Sequence, residues 1–339
     1  MKNSAKRCSA GNKIRLLYLT GFLLLILSAV IGILIGSSSV RINDIADAFL
    51  KGFNYSPQTR VFAYVRLPRT VASLVCGGAL AVSGAIIQSV LANRLASPSI
   101  IGVNSGAGLA VTLSAFFGIY GGFRLSVFAF LGAFITVMLV SFSAQRLNAS
   151  RGTVILIGVA VNSFFGAITS AVITFIPEIG VMSNDFKVGE FSAVTFKSVI
   201  PSAVIIIIAL MVVFTLVNEL DVLALGDESA AGLGMNTRLV RSVFLTLSAL
   251  LAGCAVSIAG LLSFVGLIVP NIIRNIVGGK SSYLLPLCAL FGSSFVCLCD
   301  TVARTAFSPY EIPVGIIMAF LGAPFFVFIL VRRGLHRRD

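Results

Sequence analysis

Long apolar runs separated by short polar or glycine-rich breaks dominate the chain. Read as helices, they fall at about residues 15–36, 66–91, 100–119, 123–145, 152–176, 197–219, 237–259, 263–277, 283–304 and 312–331. A helix of about 20 apolar residues crosses the hydrocarbon core of a bilayer. The pattern therefore predicts an all-α polytopic membrane protein with about ten transmembrane helices, forming one domain over residues 1–339. The eighth run is short and contains Pro270. All six tyrosines, at 18, 55, 64, 120, 283 and 310, fall at or near the expected helix ends or in loops, where interfacial aromatics belong.

Composition agrees. With 58% hydrophobic and 11% charged residues, the chain does not have the make-up of a water-soluble globule. The net charge of +13 needs no nucleic acid to explain it, because most of it obeys the positive-inside rule. Placing the N-terminus inside puts 16 of the 25 basic residues on the cytoplasmic side and seven of the 12 acids outside. Both termini are then cytoplasmic, with a tail at 1–14 and a basic tail at 332–339. Residues 16–36 are too long for the core of a signal peptide and are expected to remain as the first span. Cys8 lies in the tail and the other five cysteines lie in expected spans, where they serve as small packing residues rather than as disulfides or zinc ligands.

The segment 225–234, LGDESAAGLG, is short, acidic and rich in small residues, and it sits between two charge-free runs. Asp227 and Glu228 would open a short helix, where acids suit the N-terminus; Gly232 and Gly234 would stop it and let a partner's backbone come close. A solvated connector is the plainer reading. On the other side, Arg66 and Arg69 flank Pro68 at the start of the second span and are expected to project from the outer surface. They would either snorkel to lipid phosphates or pair with carboxylates of an external partner. Asp300 precedes Arg304 by four residues, the favourable order for a helical ion pair, so Arg304 also has a purely structural reading.

Small residues recur every four positions at Ser73, Gly77, Ala81 and Ala85, at Gly102, Gly106, Ala110 and Ser114, and at Gly158, Asn162, Gly166 and Ser170. Such faces allow helices to approach closely. Gln88, Asn104 and Asn162 are amides inside apolar spans and are expected to face neighbouring helices or a wet pathway. The turns at 93–98 and 148–152, which carry Asn93, Leu95 and Ser150, are expected at the cytoplasmic side.

Catalytic chemistry has little to work with. The only histidine is His336, in the basic tail, so neither a histidine-based triad nor a two-histidine metal site can be assembled. Residues 274–281 end like a phosphate loop, but arginine stands where its first glycine should be and no strand precedes it. No cofactor is expected, and if transport uses ATP another polypeptide must bind it.

Several of these stretches, in this order, resemble the permease subunits of the ATP-binding-cassette (ABC) importers for iron-siderophore, haem and vitamin B12. They are Arg66 to Arg69, Gly84 to Gln88, Asn93 to Pro98, Gly102 to Gly108, Gly226 to Gly234, Phe264 to Pro270, Leu298 to Arg304, Pro313 to Gly315 and Gly322 to Phe326. The resemblance implies a type II ABC importer permease fold of ten helices and a second permease copy as partner. It further implies two cytoplasmic ATPase subunits and an external substrate-binding lipoprotein, in a bacterial cytoplasmic membrane. Asp227, Glu228, Ser229, Ala230, Ala231, Gly232 and Leu233 correspond to the coupling helix received by the ATPase. Arg66, Arg69 and Arg304 correspond to arginines that meet acids of the binding protein; Asn93, Leu95 and the turn at Ser150 correspond to the inner gate. The chain departs from the family at Asn271 and at Gly279-Lys280-Ser281. The likeness favours an iron-siderophore chelate, with haem or cobalamin as the alternative. An ion-coupled secondary transporter, or a membrane scaffold without transport, remains the competing reading from the residues alone.

Overall fold

A computed structural model describes residues 2–36, 41–119, 121–147 and 149–335, apart from the side chains of residues 2–11, 182, 330 and 332–335. The basic side chains of the two expected tails, other than Lys13, and His336 thus lie outside the described residues. Every regular element among the described residues is helical. They are α1 (Lys2–Leu34), α2 (Ile42–Lys51), α3 (Pro57–Val61), a π-helical turn (Phe62–Arg66), α4 (Leu67–Val90), α5 (Val103–Phe116), α6 (Gly122–Arg146) and α7 (Arg151–Phe175). There follow α8 (Pro177–Val188), α9 (Phe196–Thr215), α10 (Val217–Ala224), α11 (Asp227–Gly232), α12 (Thr237–Ala259), α13 (Val265–Val277), α14 (Ser281–Thr305) and α15 (Val314–Leu335).

Seven of these stretches have the length and apolarity to cross a bilayer, and three shorter apolar helices, Val103–Phe116, Val265–Val277 and Val314–Ile329, occupy the other expected positions. The backbone is already helical at Lys2, so the expected tail 1–14 leads straight into α1. Between α1 and α4 lie α2, α3 and the π-turn, and α8 occupies a stretch after the fifth expected span that carried no expectation.

The centre of the bundle is α4. Its span is 83% buried and that of α12 78%, whereas α1, α7 and α9 are buried over only 17%, 11% and 22% of theirs. The small residues explain why α4 can sit so deep. A methyl group on Gly77 would collide with the Gly292 carbonyl of α14, and one on Gly84 with the Gly266 carbonyl of α13. Glycine at these crossings lets the backbones touch, which in lipid replaces the hydrophobic drive that water would supply. The small face of α4 is thus spent inside the protomer. That of α5 meets α6 in the same way, through Gly106 and Gly132.

Polar groups follow the burial. Ser83 and Ser248 pair at 2.6 Å between α4 and α12, and most other hydroxyls return to a carbonyl three or four residues earlier in their own helix. An unpaired polar group in a dry interior costs more than such bonds contribute, so they keep the bundle compatible with lipid.

Candidate functional site: a pinned short helix on one face and a buried arginine cluster on the other

The chain reverses direction at each span, so α11, which follows α9 and α10, and the Arg66–Arg304 region, where α1 and α14 end, lie at opposite faces. At the first face, Gly226 has φ +121°, a left-handed-side conformation that turns the chain out of α10 and lets α11 begin at Asp227. The helix ends with backbone N–H groups of Gly234 and Met235 donating to the carbonyls of Ala231 and Ala230. Gly234, at φ +81°, supplies the reversal; Gly232 is still helical, and a Cβ there would meet open space. Of the two expected stops, only Gly234 acts as one.

Asp227 is the root of this helix. Arg151, at the start of α7, donates to Asp227 Oδ1 at 2.9 Å and to the Leu223 carbonyl at 2.7 Å; Arg241, on α12, donates to Asp227 Oδ2 at 2.6 Å. Arg241 also reaches the carbonyl of Ala149 at 3.4 Å, joining the Ser150 turn to the same clamp. Burial raises the Asp227 carboxyl, but the hydrogen bonds and charges of the two arginines outweigh it and hold the group below its usual range. The rest of α11 points away from these contacts: Ala230 is buried, while Glu228, Ser229, Ala231, Gly232 and Leu233 are exposed. Beside the clamp opens a cleft of about 230 Å³ whose lining includes Gln145, Ser150, Asp227, Arg238 and Arg241.

Sequence reasoning counted Arg151 and Arg241 only as inside charges. Arg241 lies near the start of the helix that follows the acidic segment, a placement visible in the sequence; Arg151, 76 residues before Asp227 at the start of α7, carried no such signal.

At the opposite face, Arg66, Arg69 and Arg304 are brought together, but not as projecting groups. They are 3%, 6% and 3% exposed, which corrects the expectation that Arg66 and Arg69 stand out from the surface. The reason is the end of α1, whose last carbonyls have no intrahelical partner and sit in apolar surroundings. Arg66 donates to the carbonyls of Ile33 and Leu34 at 2.7 and 2.6 Å, and Arg304 donates to that of Gly32 at 2.7 Å. Arg69 grips both oxygens of Asp300 at 3.0–3.1 Å and donates to Glu311 at 2.7 Å. Asp300 and Arg304 do approach, at 3.7 Å, but the shorter bonds of Asp300 go to Arg69. Of the two acids, Asp300 is 1% exposed and Glu311 33%.

Most of the expected pathway and gate residues make hydrogen bonds within the protomer. Asn162 donates to the carbonyls of Ser99 and Ile100, both at 3.0 Å, and accepts from Ser105, holding α7 against the start of α5. Gln88 donates to the Gly266 carbonyl and leaves its own amide oxygen buried without a partner. Asn93 accepts from the backbone of Leu95, fixing the turn after α4, and Ser150 caps α7 by accepting from Thr153. The side-chain amide of Asn104 has no hydrogen-bond partner among the described residues. Asn271, where the family pattern is broken, donates to the carbonyls of Arg94 and Leu267.

Residues 24–332 match the FecCD transport family. The chain belongs to this family. It is 34% identical to the Fe(3+)-citrate import system permease protein YfmD of Bacillus subtilis, over 98% of this chain and 99% of that protein. It is 32% identical to the hemin transport system permease protein HmuU of Yersinia pestis, over 94% of this chain and 96% of the other. Among solved structures, it superposes with a TM-score of 0.80 on a transporter assigned to the metal-chelate type of ABC transporters, in an inward-facing conformation. That match has 32% identity and covers 94% of this chain and 99% of the other. A permease fold at 16% identity, in PsaBC from Streptococcus pneumoniae, matches with a TM-score of 0.58 and shares the architecture alone. The protein is therefore an integral membrane permease of the ABC importer class, a transport subunit with the type II fold that the resemblance implied.

Proposed function

We propose that this permease carries an iron-siderophore type chelate across the cytoplasmic membrane, with its α11 face and both termini in the cytoplasm. The substrate class is supported by the iron-citrate, iron-hydroxamate and hemin import systems to which similar permeases belong; haem or cobalamin is the second choice. The sidedness is supported by the bias of basic residues toward the α11 face.

The observation that carries the mechanism is the contrast within α11, whose root is pinned to two spans while its tip is free. A separate ATPase subunit, one for each of two permease copies, would receive Glu228, Ser229, Ala231, Gly232 and Leu233. Displacement of the tip would then reach α7 and α12 through Asp227, Arg151 and Arg241, and with them the turn at Ser150. That turn and the one holding Asn93 and Leu95 form the inner gate. The weakly buried α7 would face the pathway or the second copy, and Asn104 keeps an amide free for it.

At the other face an external substrate-binding lipoprotein would dock through carboxylates that compete for Arg69 with Glu311, the exposed acid of the cluster. Arg66 and Arg304 would contribute by holding the cluster positive, since three arginines there face two acids.

Reconstitution with the cognate ATPase and binding protein tests the reading directly. ATP-dependent uptake of a ferric chelate that responds to the binding protein is the expected result; uptake driven by an ion gradient without the ATPase would overturn it. Cysteine at Glu228 should cross-link to the ATPase and not to the binding protein.

A further inference from the structure

The connector after the first span contains a helix whose apolar side faces away from the protein. On α2, Ile42, Phe49 and Leu50 are 70%, 70% and 82% exposed, and Phe53, just beyond its end, is 43% exposed. With Ala46 they follow the spacing of one helical stripe, covering a sector of about 100°. The adjacent sector holds Ile45 and Ala48, which pack with Ile33, Val61, Phe62 and Ala63. The remaining sector carries Asn43, Asp44, Asp47 and Lys51, with Lys51 paired to Asp47 at 2.9 Å. A helix held only between protein and water would need two sectors; this one has three, and the third is apolar.

The occupant is indicated by where α2 sits. Ile33, which packs on the same buried cluster as Ala48, lies one residue before the end of the spanning segment Asn12–Leu34, so this cluster places α2 near the level where α1 ends. On α1 itself, Phe22, Leu23, Leu27 and Val30 are 45–66% exposed, an apolar side that suits lipid acyl chains in a membrane-spanning helix. Tyr55 and Tyr64, both more than half exposed, lie next to α2, and aromatics with a polar end favour the headgroup region. An amphipathic helix with such a stripe at such a depth lies in the interface with its apolar side sunk into the acyl boundary.

We propose that α2 is a membrane-interface anchor that inserts Ile42, Phe49, Leu50 and Phe53 into the lipid leaflet at the face opposite α11. By doing so it fixes Phe62 and Ala63 at the start of the π-turn, and hence the approach of Arg66 to the end of α1. The proposal does not depend on the substrate, on the ATPase or on which side of the membrane this face occupies.

The chain contains no tryptophan, so one introduced indole reports on one position. Leu50→Trp and Lys51→Trp, each in the full-length protein, are reconstituted into phosphatidylethanolamine and phosphatidylglycerol vesicles. The lipids are brominated either near the glycerol end or near the methyl end of the acyl chain. The expected result is blue-shifted emission from Leu50→Trp, quenched most by bromine near the glycerol end and little by aqueous iodide, with the reverse for Lys51→Trp, which lies about 100° round the helix from Leu50. Phe49→Trp repeats the test should Leu50→Trp insert poorly. Iodide quenching of both indoles without response to brominated lipid would overturn the proposal. So would an indole at 50 or 49 shielded from both quenchers, which would assign the stripe to a second copy. Shielding that appears only when a soluble binding protein is added would assign it to that partner, and would overturn the proposal as well.

Discussion

Two carboxylates at opposite faces are each gripped by two arginines, yet they are built for different purposes. Asp300 is 1% exposed, and its partners Arg69 and Arg304 are 7% and 3% exposed; Asp227 is 42% exposed, between Arg151 at 15% and Arg241 at 13%. In the first case the ions are sealed among helices, where removal of one leaves the others uncompensated. In the second, water can replace a lost partner, so the clamp contributes geometry more than stability. The buried cluster joins α1, α4 and α14 into one unit; the exposed one joins the short helix α11 to α7 and α12.

The largest effect is expected of Asp300→Ala. It strands Arg69 and Arg304 in a dry setting and is expected to cost about 3–5 kcal/mol, seen as loss of folded protein on detergent extraction and thermal unfolding. Arg69→Lys retains the charge but loses the two-pronged grip on Asp300, for an expected cost of about 1–2 kcal/mol by the same measurement. If Asp300→Ala proved as mild as Arg69→Lys, the cluster would be a surface feature and the contrast between the faces would fail.

Asp227→Ala should leave the unfolding temperature within a degree or two, because the site is partly solvated. Its effect belongs to coupling: ATP hydrolysis by the assembled transporter should continue while uptake per ATP falls several-fold. Parallel loss of both activities and of stability would make the clamp a folding element after all.

The smallest effect concerns pH. The folded-state carboxyl of Asp227 is held below its unfolded value, so its contribution is complete above the ordinary aspartate value of about 3.9 and is lost only as pH falls through the lower folded value. The difference in uptake per ATP between the parent and Asp227→Asn should therefore stay constant from about pH 5 to 8. A difference that vanished toward the acid end of that range would mean the arginines do not hold the carboxyl as described.

Much of this contrast was invisible along the chain. The four-residue spacing on α4 and on α7 looks alike, yet Gly77 is pressed against the Gly292 carbonyl whereas Gly166 meets nothing within its protomer. Small residues permit close approach but do not say which helix approaches. The small face of α4 is used within the protomer, whereas that of α7 is open at Gly166. Arg66, Arg69 and Arg304 were legible as unusual, because the expected topology sets them against the positive-inside rule. Their burial was not, because it depends on the orphan carbonyls at the end of α1.

The sequence by itself determined the helical spans, the acidic short helix at 227–232 and the family, because hydrophobic length, turn residues and motif order are properties of neighbours along the chain. Only the tertiary structure decided that Asp300 belongs chiefly to Arg69, 231 residues away, and that Asp227 is held by Arg151 from 76 residues away. The physical reason is that an ion pair in a bundle is set by how each helix is rotated about its axis and how deeply it sits. Both are fixed by packing of whole faces, which no single stretch of residues specifies.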